Sequence, residues 1–163
     1  MVEGSNAKLD SAWILHVDGV SNSYESRANL ILINFEVTVT EYALQFNFKA
    51  LNNQTEYEVL LVGLKIAKKL GINNLKVFTD SQLITRQVKG EYEARDPTIA
   101  KYLQKVKDLT SIFGYFEIFY ISKEKNARAD ALSQLAMTSS NLLSQTFIEY
   151  LEQSSIDKVE EVL

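Results

Sequence analysis

Four acidic residues stand where the chain's own pattern could bring them together. They are Asp18 at the end of "AWILHVDGV", Glu56 in "NNQTEYEVLLVG", Asp80 in "LKVFTDSQLITRQ" and Asp130 in "KNARADALSQLA". Asp18 and Asp80 each close an apolar run rich in strand formers, whereas Glu56 and Asp130 each sit near the start of a helical pattern. Four carboxylates on apolar elements would repel one another unless cations lay between them. Oxygen-only sites of this kind suit Mg²⁺, which keeps several waters and a substrate phosphate oxygen. Two such ions can activate a water and stabilise the leaving oxygen of an in-line phosphoryl displacement. Each acid also has an ordinary use: a turn aspartate at 18, first-turn acids that suit the helix dipole at 56 and 130, and an N-cap at 80.

Composition removes the competing chemistries. The chain of 163 residues has no cysteine and one histidine, His16. Disulfides, thiolate zinc sites, a cysteine nucleophile and a histidine metal cluster are therefore excluded, and any hydrolysis must lean on carboxylates. No run approaches the roughly 18 apolar residues of a membrane helix. The opening "MVEGSNAKLDSAW" has no apolar core of a secretory signal, so the expected setting is intracellular rather than secreted. The net charge of −4 resides in residues 138–163, leaving residues 1–137 balanced. A nucleic-acid partner would need a local basic footprint, not overall charge.

The elements that must position these acids read in order. Residues 12–20, 28–35 and 37–50 are strand-like, the third with partial alternation. Tyr57, Leu60, Leu61, Leu64, Ala67 and Leu70 fall at helical spacing, with Gly71 as a stop. A short buried strand over 74–79 precedes a helix over 81–90. Pro97 suits the first position of the next helix, in which Ile99, Tyr102, Leu103, Val106, Leu109 and Phe113 recur. A fifth strand spans 115–122 and a last helix 125–136. Three consecutive strands imply an antiparallel meander, and the later alternation implies parallel crossovers. The expected fold class is α/β, with a mixed five-stranded sheet flanked by helices. Strands 1–3 are antiparallel, followed by parallel strands 4 and 5.

The segments "WILHVDG", "NNQTEYEVLLVGLKIAKKLGI", "VFTDSQLITRQVKGEYEARDPTIAKYL" and "KNARADALSQLA" resemble the ribonuclease H domain of plant gypsy-type LTR retrotransposon polyproteins. That resemblance implies the ribonuclease H-like fold over 12–137 and endonucleolytic hydrolysis of the RNA strand of RNA–DNA hybrids. It carries a catalytic and metal-binding tetrad onto Asp18, Glu56, Asp80 and Asp130, with two Mg²⁺ ions for which Mn²⁺ can substitute. Asp80 is then expected to serve as both cap and ligand, with Ser81 in a structural first-turn role. The resemblance places Gly19, Asn52, Asn53 and Gln82 at the substrate, the asparagines where they could sense 2′-hydroxyls. The alternative for Asn53 is a helix cap.

The chain also departs from the family. The loop before Asp130, "SKEKNARAD", lacks the histidine of cellular enzymes and offers Lys123, Lys125 and Arg128 to phosphates instead. His16 shares a strand face with Asp18 and is expected to be a packed or hydrogen-bonded neighbour, not a base. No lysine-rich protrusion fits between residues 90 and 97. Glu25, Arg27, Asn29, Phe35 and Val37 occupy hairpin positions where glycine or proline is usual, which predicts a weakened fold. Residues 1–11 read as an N-terminal extension, and 138–163 as an acidic, Ser-rich linker toward an integrase. By resemblance the neighbours are reverse transcriptase upstream and integrase downstream, in a cytoplasmic virus-like particle or the nucleus. Two rival functions stand beside the nuclease: a catalytically silent module that binds nucleic acid or protein, and an integrase-type DNA nuclease on a related fold.

Overall fold

The computed structural model describes residues 12–21, 26–36, 38–46, 52–126, 144–151 and 154–156. Three strands come first: β1 (Trp13–Ser21), β2 (Ser26–Ile33) and β3 (Val39–Phe46). Helix α1 (Asn52–Lys69) leads to β4 (Asn74–Thr79). Helices α2 (Gln82–Val88) and α3 (Pro97–Thr110) then precede β5 (Tyr115–Tyr120) and, later, β6 (Ser144–Leu151). The sheet order is β5-β4-β1-β2-β3-β6. Strands β1 to β3 pair antiparallel, and β4 and β5 run parallel to β1, as the element order implied. Parallel neighbours need long crossovers, which the helices provide.

The sheet has six strands rather than five. Ser144–Leu151, read in the sequence as linker, runs parallel to β3 in register from Val39↔Ser144 to Phe46↔Leu151. The surrounding tail is Ser-rich and acidic, but the strand itself reads SQTFIEYL, with Thr146, Phe147, Ile148 and Tyr150 as good strand formers. It also covers β3, which would otherwise present an open edge of unpaired backbone groups. The last helix is described only over 123–126; the remainder of the helix expected over 125–136 lies outside the described residues.

The core lies between the sheet and α1. Tyr57, Leu60, Leu61, Leu64 and Ala67 of the stripe marked out by helical spacing are fully buried, whereas Leu70, past the end of α1, is exposed. Gly63 lets the helix press onto β1, since a Cβ there would lie 2.6 Å from Leu15 Cδ2. Helices α1 and α2 end where Gly71 and Gly90 take φ of 72° and 82°, the left-handed conformation of helix stops. Asp96 caps α3 ahead of Pro97, its carboxylate accepting Thr98 N–H at 2.8 Å and Ile99 N–H at 3.2 Å. The β2–β3 turn needs no glycine or proline. Asn34 Oδ1 accepts the Glu36 and Thr38 N–H groups at 3.0 and 2.8 Å, so the turn closes through a side chain while Phe35 points to solvent. Arg27 and Asn29 lie in unbroken register between β1 and β3, and Glu25 and Val37 lie outside the described residues.

Leu15 is itself buried among core side chains and cannot move aside. Gly63→Val is therefore expected to destabilise the protein by about 1–3 kcal/mol through overpacking. Urea unfolding measures this; a midpoint equal to that of the parent would show that α1 has room over β1.

Candidate metal centre

Parallel pairing of β1 with β4 brings Val17 beside Thr79, so the next residues, Asp18 and Asp80, emerge side by side. Helix α1 delivers Glu56 to the same place. Oxygens of Asp18, Glu56 and Asp80 all lie within 4.8 Å of one another. Glu56 stands in the second turn of α1, whose first turn holds no acid, so the helix dipole does not explain its type. Gly19 makes the approach possible. A Cβ at that position would sit 3.2 Å from Thr55 Cγ2, 3.3 Å from Val59 Cγ2 and 3.6 Å from Glu56 Cδ. Its backbone N–H also donates to the Glu56 carboxylate.

The electrostatics follow from that crowding. The Glu56 carboxyl is pushed up from 4.5 to about 8, first by burial and then by the charges of Asp80 and Asp18. The Gly19 N–H and Lys123 oppose this without overcoming it. Burial also raises Asp80, against Lys123 and a hydrogen bond from its own backbone. Glu56 Oε2 is buried and, among the described residues, accepts no hydrogen bond. A buried carboxylate oxygen in that state is costly, and a hard cation among the three acids would satisfy it. The donor set fits a divalent ion of the Mg²⁺ class.

Asp80 does not cap α2. Ser81 does, its Oγ accepting Ile84 N–H at 3.2 Å. The cap therefore falls one residue later than the sequence reading placed it, which leaves the Asp80 carboxylate to the cluster. Asp130 lies outside the described residues. Asn52 opens α1, while Asn53 is exposed inside the first turn rather than at the cap position. Gln82 is exposed at the start of α2. It lines a groove of about 360 Å³ with Arg86, Lys89, Phe119 and Tyr120. Lys89 Nζ lies 5.9 Å from the Phe119 ring centroid, and Tyr120 is 44% exposed. Lys123 and Lys125 are exposed, Lys123 acting on both Glu56 and Asp80, and Arg128 lies outside the described residues.

His16 is a packed neighbour. Its ring stacks on Phe78 at 5.1 Å, and Phe78 stacks in turn on Phe119 at 5.1 Å. Nδ1 lies 3.3 Å from Asn126 Oδ1, which calls for the Nδ1–H tautomer. Burial lowers the His16 pKa, so the ring is neutral near pH 7. Asn126, buried, also donates to Val17 O at 3.2 Å. The sequence reading gave Asn126 no role; its only signal was a polar residue one helical turn before Asp130.

A mixed sheet of this order, with carboxylates converging at the ends of its first and fourth strands, defines a ribonuclease H fold. Residues 16–136 match the family model described as "Reverse transcriptase-like", and the chain belongs to that family. Ribonuclease HI of Halobacterium salinarum is 32% identical over 89 residues, which cover 55% of this chain and 45% of that protein. The chain thus spans less than half the length of this relative. The crystal structure of RNase H1 from Halobacterium salinarum superposes with a TM-score of 0.68 at 25% identity, covering 78% of this chain and 98% of that one. LC11-RNase H1, solved in complex with RNA/DNA hybrid, gives a TM-score of 0.65 at 25% identity over 74% of this chain and 92% of that one.

Because Glu56 holds its proton more tightly folded than unfolded, the metal-free protein is expected to be most stable below pH 4.5 with respect to this group. That contribution is lost as pH rises through about 8. Thermal unfolding in chelator at a series of pH values reads the effect, and Glu56→Gln should flatten the decline. Identical slopes for parent and variant would show that Glu56 titrates as an ordinary carboxylate.

Proposed function

We propose that this chain is a divalent-metal-dependent endonuclease that hydrolyses the RNA strand of RNA–DNA hybrids. One observation carries the reading: three carboxylates crowd together, with a buried Glu56 oxygen that no donor among the described residues satisfies. Asp18, Glu56 and Asp80, joined by Asp130, which the motif resemblance adds, would hold two Mg²⁺ ions, with Mn²⁺ able to substitute. When bound, these ions would lower the pKa of water and neutralise charge on the phosphodiester and leaving oxygen. The water oxygen bonds to phosphorus as the bond to the 3′ oxygen breaks. The water gives up a proton, the 3′ oxygen takes one, and the products are 3′-hydroxyl and 5′-phosphate ends.

The chain's own residues divide the remaining work. The Gly19 N–H holds Glu56 in place, and Lys123 partly offsets the negative field through which a phosphate must approach. Gly19, Asn52, Asn53 and Gln82 would meet the hybrid near the cut. Farther along α2, Arg86 and Lys89 offer charge to the backbone and Tyr120 a ring face. The hybrid-bound LC11-RNase H1 shares this fold, which supports the same substrate class here. The motif resemblance supports a retroelement setting, with reverse transcriptase upstream, integrase downstream, and residence in a cytoplasmic particle or the nucleus. The turn closed by Asn34 and the unbroken β2 register favour this enzyme over a silent, decayed module.

Incubation with labelled hybrid and Mg²⁺ or Mn²⁺ should remove only the RNA strand, sparing duplex DNA and single-stranded RNA. Asp80→Asn should lower the rate by more than the roughly 10–100-fold typical of losing a ligand's outer partner. Cleavage of duplex DNA, or undiminished cleavage by the variant, would overturn the reading. Within the groove, Lys89→Glu should raise KM several-fold and weaken its salt dependence while leaving kcat unchanged. An unchanged KM would exclude the groove from the substrate path.

A further inference from the structure

Glu58 lies two residues beyond Glu56 on α1, is 1% exposed and stands apart from the acid cluster. Its Oε1 accepts the Tyr102 hydroxyl at 2.7 Å and the Ser155 backbone N–H at 2.8 Å. Its Oε2 accepts the Ser155 hydroxyl at 2.6 Å. A buried carboxylate is tolerated only with such donors, and both Ser155 bonds cross 97 positions of sequence. The same terminal stretch runs as β6 along β3 and packs Leu151 and Ile156 against the core. It is therefore held at two separate places, the sheet edge and the catalytic helix.

We infer that Ser155 on Glu58 is a latch that fixes the rotation of α1, making both positioning residues for Glu56. The inference rests on the reading that Glu56 binds metal. Successive residues of a helix point about 100° apart, and here three in a row are committed to different partners. Glu56 faces Asp18 and Asp80. Tyr57 donates to Gln87 Oε1 of α2 at 2.7 Å and stacks on Tyr102 at 5.7 Å. Glu58 takes Tyr102 and Ser155. Without the Ser155 hydroxyl, Glu58 Oε2 loses the donor it has among the described residues and is drawn toward water, and a turn of α1 that exposes it carries Glu56 away from its partners.

The test uses the full chain with Ser155→Ala and, as conservative rescue, Ser155→Thr. Mn²⁺ binding to the substrate-free protein is measured by calorimetry, and amide hydrogen exchange is followed in β6 and in the second turn of α1. Ser155→Ala should weaken Mn²⁺ binding roughly tenfold, as loss of a ligand's support does. It should also speed exchange in both elements, and Ser155→Thr should restore both readouts. Faster exchange confined to β6, with Mn²⁺ affinity unchanged, would overturn the inference and leave the segment as a strand that merely adheres. If the parent protein binds no Mn²⁺, the nuclease reading fails. Exchange in α1 then judges the latch alone: faster exchange in Ser155→Ala supports it, and unchanged exchange overturns it.

Discussion

The structure depends on forcing like charges together in a half-buried place. Two carboxylates at the separation seen here repel by on the order of 3–4 kcal/mol at an effective dielectric of 20, and three of them share one site. The fold imposes this by means that leave little freedom. Parallel register sets Asp18 beside Asp80, and a glycine at 19 removes the one side chain that would hold Glu56 off. The raised Glu56 pKa reflects burial first and the charges of Asp80 and Asp18 second, and in the metal-free site a proton relieves both. A site that holds such an unfavourable arrangement is preorganised for a cation.

Rigidity on both faces of the sheet makes the arrangement sustainable. On one face α1 is packed onto β1 through Gly63 and Leu15 and joined to α2 and α3 through Tyr57, Gln87 and Tyr102. On the other, the rings of His16, Phe78 and Phe119 stack across β1, β4 and β5. Asn126 ties the start of the last helix to Val17, the residue before Asp18. His16 thus serves the site by being neutral and packed, a role that a charged imidazole beside three carboxylates could not fill without altering their protonation.

Local signals made much of this legible. Hydrophobic period marked β1, β4 and the buried stripe of α1, and Gly71, Gly90 and Pro97 fixed helix ends by backbone chemistry that needs no tertiary context. Asp18 and Asp80 could be seen to close strands one and four, but that they meet depends on those strands being neighbours, which the structure supplies. What escaped was decided by non-local partners. In β6 the strand formers of SQTFIEYL were obscured by the Ser-rich, acidic stretches around them, and its partner edge on β3 lies far away in the sequence. Ser81 and Asp80 are both competent caps, and only the competing use of Asp80 in the cluster separates them. Asn34 supplies through its side chain the turn chemistry expected of glycine or proline. Glu58 looks like a solvated helix residue until its donors arrive from α3 and the far end of the chain.

These last cases share a cause. A polar residue's role is set by what satisfies it, and in this fold the satisfying groups come from elsewhere. Glu56 and Glu58 are the same residue type, two positions apart on one helix, and both are withdrawn from water. Among the described residues, one keeps an oxygen that no donor meets, and the other accepts three hydrogen bonds. Burial alone would put the greater cost on Glu58, which is fully buried while Glu56 is half-buried. The difference is that the fold completes the shell of Glu58 from its own chain while, among the described residues, one oxygen of Glu56 is left open, so the first serves as a structural joint and the second could take an external cation. Sequence pattern locates both on α1, but only the inventory of donors around each oxygen distinguishes architecture from chemistry.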